Sequence, residues 1–239
     1  MSDTATLVLV HGSWHGPWAW EQVVPLLAAQ GVRAITPTLP SMGKTRAERG
    51  DLHDDAAVVR AAVASAGGPV VLVGHSYAGA VISEAAGGDA AVQRLVYICA
   101  LVPDEGETVF DVLTLIDEML LGPGNGLQLS DDDFSHEPER GREIEFVYHD
   151  CEPAVAAAAI ARLIPQNAVT GTQELRGFAF REKPCTYVVC TDDRTISPKL
   201  QRVFAERLGA DVVEWATSHS PMISKPQLVA DFLATLARA

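Results

Sequence analysis

The sequence is poor in cysteine, aromatic side chains and positive charge, and it has no long apolar run. Its 239 residues include four cysteines, Cys99, Cys151, Cys185 and Cys190, and none of them makes a C-x-x-C pair. They read as reduced, mostly buried thiols, so neither a disulfide framework nor a cysteine metal site is expected. Lys and Arg number 18 against 31 Asp and Glu, a formal net charge of −13. That balance argues against nucleic acid or an anionic membrane as the main partner. The longest apolar stretch, Ala154 to Ala161, is far below the roughly 18 residues of a spanning helix. The N-terminal MSDTATLVLVHG has no basic segment before its short apolar run. No signal peptide is expected, and the default location is the cytoplasm. No fixed-period repeat or low-complexity tract is present.

The composition is that of an ordinary globular chain, 48% hydrophobic and 21% charged, long enough to bury a core without a metal or disulfide scaffold. The charge is uneven. Residues 104–183 hold 17 acidic and 6 basic side chains, a net of −11, while the rest nets −2. That third of the chain should be a separate structural unit.

Apolar runs and helical periodicities alternate along the flanking parts. Strands are expected at 6–11, Val32–Thr36, Val70–Gly74, Arg94–Ile98, Cys185–Cys190 and Asp211–Trp215. Helices are expected at Glu21–Gln30, Asp51–Ala66, Tyr77–Ala86, Pro198–Leu208 and Pro226–Ala237. Such alternation predicts an α/β fold, a mostly parallel sheet with helices on both faces. Residues 1–103 and 184–239 would form the core, and 104–183 an inserted cap or lid. The cap should be mainly helical, with helices at Thr108–Leu121, Arg140–Tyr148 and Pro153–Ile164. A Gly-rich and acidic stretch separates the first two.

Residues 74–79 read Gly-His-Ser-Tyr-Ala-Gly between an expected strand and an expected helix. A nucleophile elbow needs that context, because its sharp turn strains the Ser backbone and demands small neighbours. Ala78 stands where the pattern has Gly, the mildest departure. Ser76 needs a base to be nucleophilic at neutral pH. In this motif the chain order is Ser, acid, His. Asp193, in the loop after Cys190, and His219, after Trp215, fill those places at strand ends. Asp192 and Asp104 are the rivals for the acid. Two backbone N–H groups should receive the oxyanion: that of Tyr77, after the nucleophile, and that of Ser13, in the loop after the first strand.

The segments LVLVHGSWHGPWAW, GHSYAGAVI, ALVPDEGET, YHDCEP, RLIPQ, CTDDRTISPKLQ and SHSPMISKPQLVADFL resemble those of an α/β-hydrolase. The group is that of plant methyl-ester esterases and hydroxynitrile lyases, with bacterial relatives. The resemblance covers most of the chain. It implies a sheet lacking the first strands of the larger fold, and it assigns the triad acid to Asp193, eight residues before Gln201. In the hydroxynitrile lyases a Thr stands at the position of Gly12 and a Lys follows the catalytic His, where this chain has Ser220. Lyase chemistry is therefore disfavoured. The Ser at 76 excludes epoxide hydrolase and dehalogenase chemistry, which uses an Asp nucleophile.

Other patterns carry less. His11 and His15 have no Glu between them, so a structural role is expected rather than zinc. Gly43-Lys44-Thr45 lacks the first Gly of a phosphate loop, since position 38 is Thr. Gly122–Gly126 follows no strand, against a dinucleotide site. His136 replaces the invariant Gly that a calcium loop beginning at Asp131 would need. Trp14, Phe110 and Met119 are the expected substrate contacts, in a hydrophobic acyl pocket.

The expected activity is hydrolysis of a carboxylic ester of a small hydrophobic or aromatic molecule, with no metal and no organic cofactor. The expected partner is that ester. Nucleic acid and membrane are not expected, and monomer and homodimer both stay open. Carbon–carbon bond hydrolysis, natural-product tailoring on the same triad and a non-catalytic receptor-like role are the alternatives.

Overall fold

The computed structural model of the protein describes residues 4–116, 120, 122–123, 126–130 and 135–239, with 122–123 described by backbone only. Six strands form one all-parallel sheet. They are β1 (Thr6–Val10), β2 (Ala34–Ile35), β3 (Val70–His75), β4 (Val92–Ile98), β9 (Cys185–Cys190) and β10 (Asp211–Trp215), in the order β10-β9-β4-β3-β1-β2. The central strands are mostly apolar because helices cover both faces. Leu7, Leu9, Val71 and Val73 face one apolar cluster with α1 (Val23–Ala29) and α8 (Pro226–Ala237). Val8, Val10 and Leu72 face the other, with α2 (Leu52–Ala66), α3 (Ala78–Ala85) and α6 (Pro198–Arg207).

Local signals set the helix ends. Asp51 caps α2 by accepting from the His53 and Asp54 N–H groups, and Gly67 closes it at φ 72°, which a residue without Cβ adopts at little cost. The cysteines are all free, with Cys151 half-buried and the others buried. Among the described residues no helix is long and apolar enough to cross a membrane.

Residues 104–183 leave the sheet after β4 and return at β9. They are less helical than the periodicity suggests. The Thr108–Leu121 pattern yields only α4 (Val109–Val112) followed by turns, and residues 117–119 and 121 lie outside the described residues. A π-helical turn covers Ile144–Tyr148, and α5 (Pro153–Ile160) ends one turn early. The unexpected part is a second sheet of four short strands: β5 (Gly122–Pro123), β6 (Gly126–Leu129), β7 (Ser135–Pro138) and β8 (Gln166–Asn167). Strands of two to four residues are too short to show a period of two, which is why the pattern reads as loop. The acidic Asp131–Asp133 lies outside the described residues.

Candidate active site

Ser76 sits between β3 and α3 at φ 55°, a left-handed conformation that costs a non-glycine residue about 1–2 kcal/mol. Its surroundings hold it there. The Ser76 N–H donates to Ile98 O at 3.1 Å, and its carbonyl accepts from Gly79 and Leu101 N–H at 3.0 Å each. The glycines are steric necessities. A Cβ on Gly74 would meet Ala78 O at 2.7 Å, and one on Gly79 would overlap Leu101 O. The tight contacts thus fall on Gly74 and Gly79, which is why Ala78 is tolerated.

His219 follows β10 and Asp193 follows β9. The Ser76 hydroxyl is 2.9 Å from His219 Nε2, and His219 Nδ1 is 2.7 Å from Asp193 Oδ2. All three side chains are buried. Asp193 also accepts from Thr195 N at 2.7 Å, Ile196 N at 3.1 Å and Gln201 Nε2 at 2.9 Å. Four donors satisfy its buried charge and fix its orientation. The rival carboxylates are elsewhere: Asp192 is exposed, and Asp104 pairs with Arg181.

The loop after β1 is held in strain as well. Trp14 has φ 65°, its carbonyl accepts from Ile164 N at 3.0 Å, and its indole N–H points to His136. Among the described residues the N–H groups of Ser13 and Tyr77 make no hydrogen bond. His11 accepts from Leu39 N at 3.2 Å and bonds to Gly12 O, while His15 bonds to Ser13 O at 2.7 Å. Burial lowers His11 to about 4 and His15 to about 3. Both rings are neutral struts of the loop.

The 144–150 segment touches the loop after β1 and the loops that carry Asp193 and His219. Phe146 O accepts from Thr195 Oγ1 at 2.9 Å, and Tyr148 OH donates to His15 Nε2 at 2.7 Å. His149 Nε2 donates to Asp192 O at 2.8 Å. The Asp150 carboxylate accepts from the Ser218 N–H at 3.0 Å, from the Ser218 hydroxyl, and from Ser224 Oγ at 3.0 Å. The motif YHDCEP contains Tyr148, His149 and Asp150, but only the folded chain shows what they hold.

A cavity of about 50 Å³ opens beside Ser76, walled by Trp14, Leu101, Phe110, Leu113, His136 and Ile196. Trp14 and Phe110 are thus at the site. Met119 lies outside the described residues. Gly171 makes room for the Phe110 ring, which a Cβ there would overlap. A roomier groove of about 230 Å³, lined by Trp18, Val155, Arg162 and Met222 among others, includes none of the triad. His75, Cys99 and His219 are the one group of possible metal ligands among the described residues. Both His219 nitrogens are engaged by Ser76 and Asp193, and His75 Nε2 and Cys99 Sγ donate to His219 O, which leaves His75 Nδ1 alone as an open ligand atom. A metal does not fit there. A Cβ on Gly12 would meet Ser76 Cβ at 2.8 Å and His75 Nδ1 at 2.9 Å, so the lyase Thr has no room.

The sequence profile of the alpha/beta hydrolase family matches residues 7–232. The chain belongs to the α/β-hydrolase family. Among its relatives, an α/β-hydrolase (nvfD) of Aspergillus novofumigatus is 30% identical over 97% of this chain and 96% of its own. Methylesterase 2 of Arabidopsis thaliana is 27% identical over 96% and 95%. A crystal structure of the pyrethroid hydrolase PytH superposes with a TM-score of 0.83 at 25% identity, covering 98% of both chains. As an α/β-hydrolase the chain has its elbow, acid and histidine loops at the carboxyl ends of β3, β9 and β10, where open parallel sheets bind ligands.

Proposed function

We propose that this α/β-hydrolase cleaves a carboxylic ester of a small hydrophobic or aromatic molecule through an acyl-enzyme on Ser76. One observation carries the reading. The Ser76 hydroxyl, the His219 imidazole and the Asp193 carboxylate form an unbroken hydrogen-bonded chain beside two unpartnered backbone N–H groups.

Ser76 Oγ attacks the ester carbonyl as His219 Nε2 takes its proton. Asp193 keeps the proton-bearing Nδ1 facing it and stabilises the imidazolium. The Ser13 and Tyr77 N–H groups receive the oxyanion, and losing one such donor costs about 3–4 kcal/mol of transition-state stabilisation. His219 then protonates the departing alcohol, activates water against the acyl-enzyme and releases the acid. The scheme calls on no metal and no organic cofactor.

Relatives named as methylesterase and pyrethroid hydrolase support ester cleavage. The absence of a Lys after His219, together with the crowding at Gly12, sets cyanide elimination aside. A second reading is a tailoring step on the same triad. It is favoured by a Strychnos relative, 25% identical, named norfluorocurarine synthase 1.

Residues 104–183 act in this scheme as the lid that buries the triad. The free thiols agree with a reducing, cytoplasmic setting, and the partner is the small ester rather than nucleic acid or membrane.

A panel of p-nitrophenyl and methyl esters tests the reading. Wild type should turn over members of the panel, and Ser76→Ala should lose roughly 10³-fold or more with unchanged circular dichroism. An organophosphate should label Ser76. Near-normal turnover by Ser76→Ala would sink the mechanism. A folded protein whose Ser76 resists labelling would point to the receptor-like role.

A further inference from the structure

We propose that His136 selects an acyl group carrying an uncharged acceptor oxygen, such as a keto, ether or hydroxyl oxygen, by donating a hydrogen bond into the pocket beside Ser76. The inference rests on the ester-hydrolase reading and adds the substrate class.

His136 is held firmly. Its strand, β7, is paired on both sides, with Leu129 opposite on β6 and Gln166 opposite on β8. The side chain is 5% exposed and lines the cavity that contains Ser76. Its ring stands edge-on to Trp14, with centroids 5.8 Å apart, and to Phe110, with centroids 6.0 Å apart.

Its proton can be placed by elimination. The Trp14 indole N–H can only donate, and it lies 3.2 Å from His136 Nδ1. The same N–H is shared with His136 O at 3.1 Å, but a hydrogen on Nδ1 would set two N–H groups against each other at 3.2 Å, so the ring hydrogen of the neutral imidazole belongs on Nε2. Burial holds the ring neutral, with its pKa lowered to about 4. The Nε2–H donates to no described residue, yet it is not among the buried polar atoms cut off from any partner. The ring lines the cavity, so the pocket is where this N–H can find an acceptor.

The rest of the wall offers little competition. Leu101, Val109, Phe110, Leu113, Leu127 and Ile196 are apolar, and the Thr195 hydroxyl is spent on Phe146 O. A hydrocarbon acyl group would bury the His136 N–H unpaired, and an acceptor oxygen would satisfy it. The acceptor should be uncharged. The ring carries no positive charge at neutral pH, and the described residues lining the cavity include no Lys or Arg to pair with an anion.

The test compares 4-nitrophenyl 4-oxopentanoate with 4-nitrophenyl pentanoate, using the ratio of kcat/KM so that leaving group and general activity cancel. Wild type should favour the oxo ester by about tenfold more than His136→Phe does. His136→Gln, which restores an amide N–H, should recover part of the preference. Equal ratios in wild type and His136→Phe would overturn the proposal. Should the Phe variant not fold, equal ratios in wild type and a folded His136→Leu would do the same. Wild type that hydrolyses both esters with no difference from the variants leaves ester cleavage standing and removes His136 from it. If wild type hydrolyses neither ester and Ser76 is not labelled, the ester reading fails. The His136 claim is then judged by dissociation constants of 4-oxopentanamide and pentanamide. Tighter binding of the oxo amide supports it, and equal binding overturns it.

Discussion

Asp193 shows how geometry separates two neighbouring carboxylates. Chain order and the resemblance single it out, but Asp192 has the same chemistry one position away. Only backbone direction separates them, since one carboxylate turns inward to four donors and the other faces solvent. Asp193→Asn should keep the fold while favouring the wrong imidazole tautomer, lowering kcat by about 10⁴-fold. Steady-state rates beside a thermal melt check this, and a loss below tenfold would contradict the assignment. Ser76 was legible because the elbow imposes its own neighbours, and His219 because chain order calls for a His after the last strand. His136 was not, because its importance depends on Trp14, which is 122 residues away.

The elements of the core were legible because buried parallel strands are apolar runs and their helices carry clear stops. β9, β10 and α8 fall at the expected residues. The 104–183 segment resisted the same reading. The Thr108–Leu121 periodicity is real, and Val109, Val112, Leu113 and Ile116 pack on one core cluster, yet the described helix there is the single turn α4. The π-helical turn was equally hidden, although its consequences are the larger. Through Asp150, two residues past its end, the segment holds the loop that carries His219. Asp150→Ala leaves the Ser218 N–H without its acceptor, at a cost of about 1–3 kcal/mol. If that loosens His219, kcat should fall about 10-fold or more with KM little changed, and the acidic limb of the pH–rate profile should move. A variant with reduced melting temperature but wild-type kcat and pH profile would make Asp150 purely structural.

At the scale of the whole molecule, buried titratable groups set the response to acid. His11, His15 and His136 are held neutral with values of about 4, 3 and 4, against about 6.5 in the unfolded chain. Between those limits the unfolded chain binds protons that the fold excludes, so stability is lost as pH falls from 6.5 toward 4. Asp55, hydrogen-bonded to Ser41 N and Tyr77 OH, acts in the opposite sense. Burial raises it to about 7, so its contribution is lost as pH rises through 7. Three histidines outweigh one carboxyl between pH 4 and 6.5, and the melting temperature should drop by about 5–10 °C from pH 7 to pH 5. A melting temperature at pH 5 equal to or above that at pH 7 would refute this balance.

The pairing of β4 with β9 has a kinetic consequence. Leu95 lies opposite Cys185, so the centre of the sheet joins chain segments separated by the whole acidic excursion. Closing a loop of that length costs on the order of 4 kcal/mol of chain entropy before any strand contact compensates. Such non-local topology folds slowly. The nucleophile elbow lies before the closure, and the acid and histidine loops lie after it. On dilution from denaturant, helical circular dichroism should return first and esterase activity last, with the lag set by sheet completion and not by the chemistry of the site.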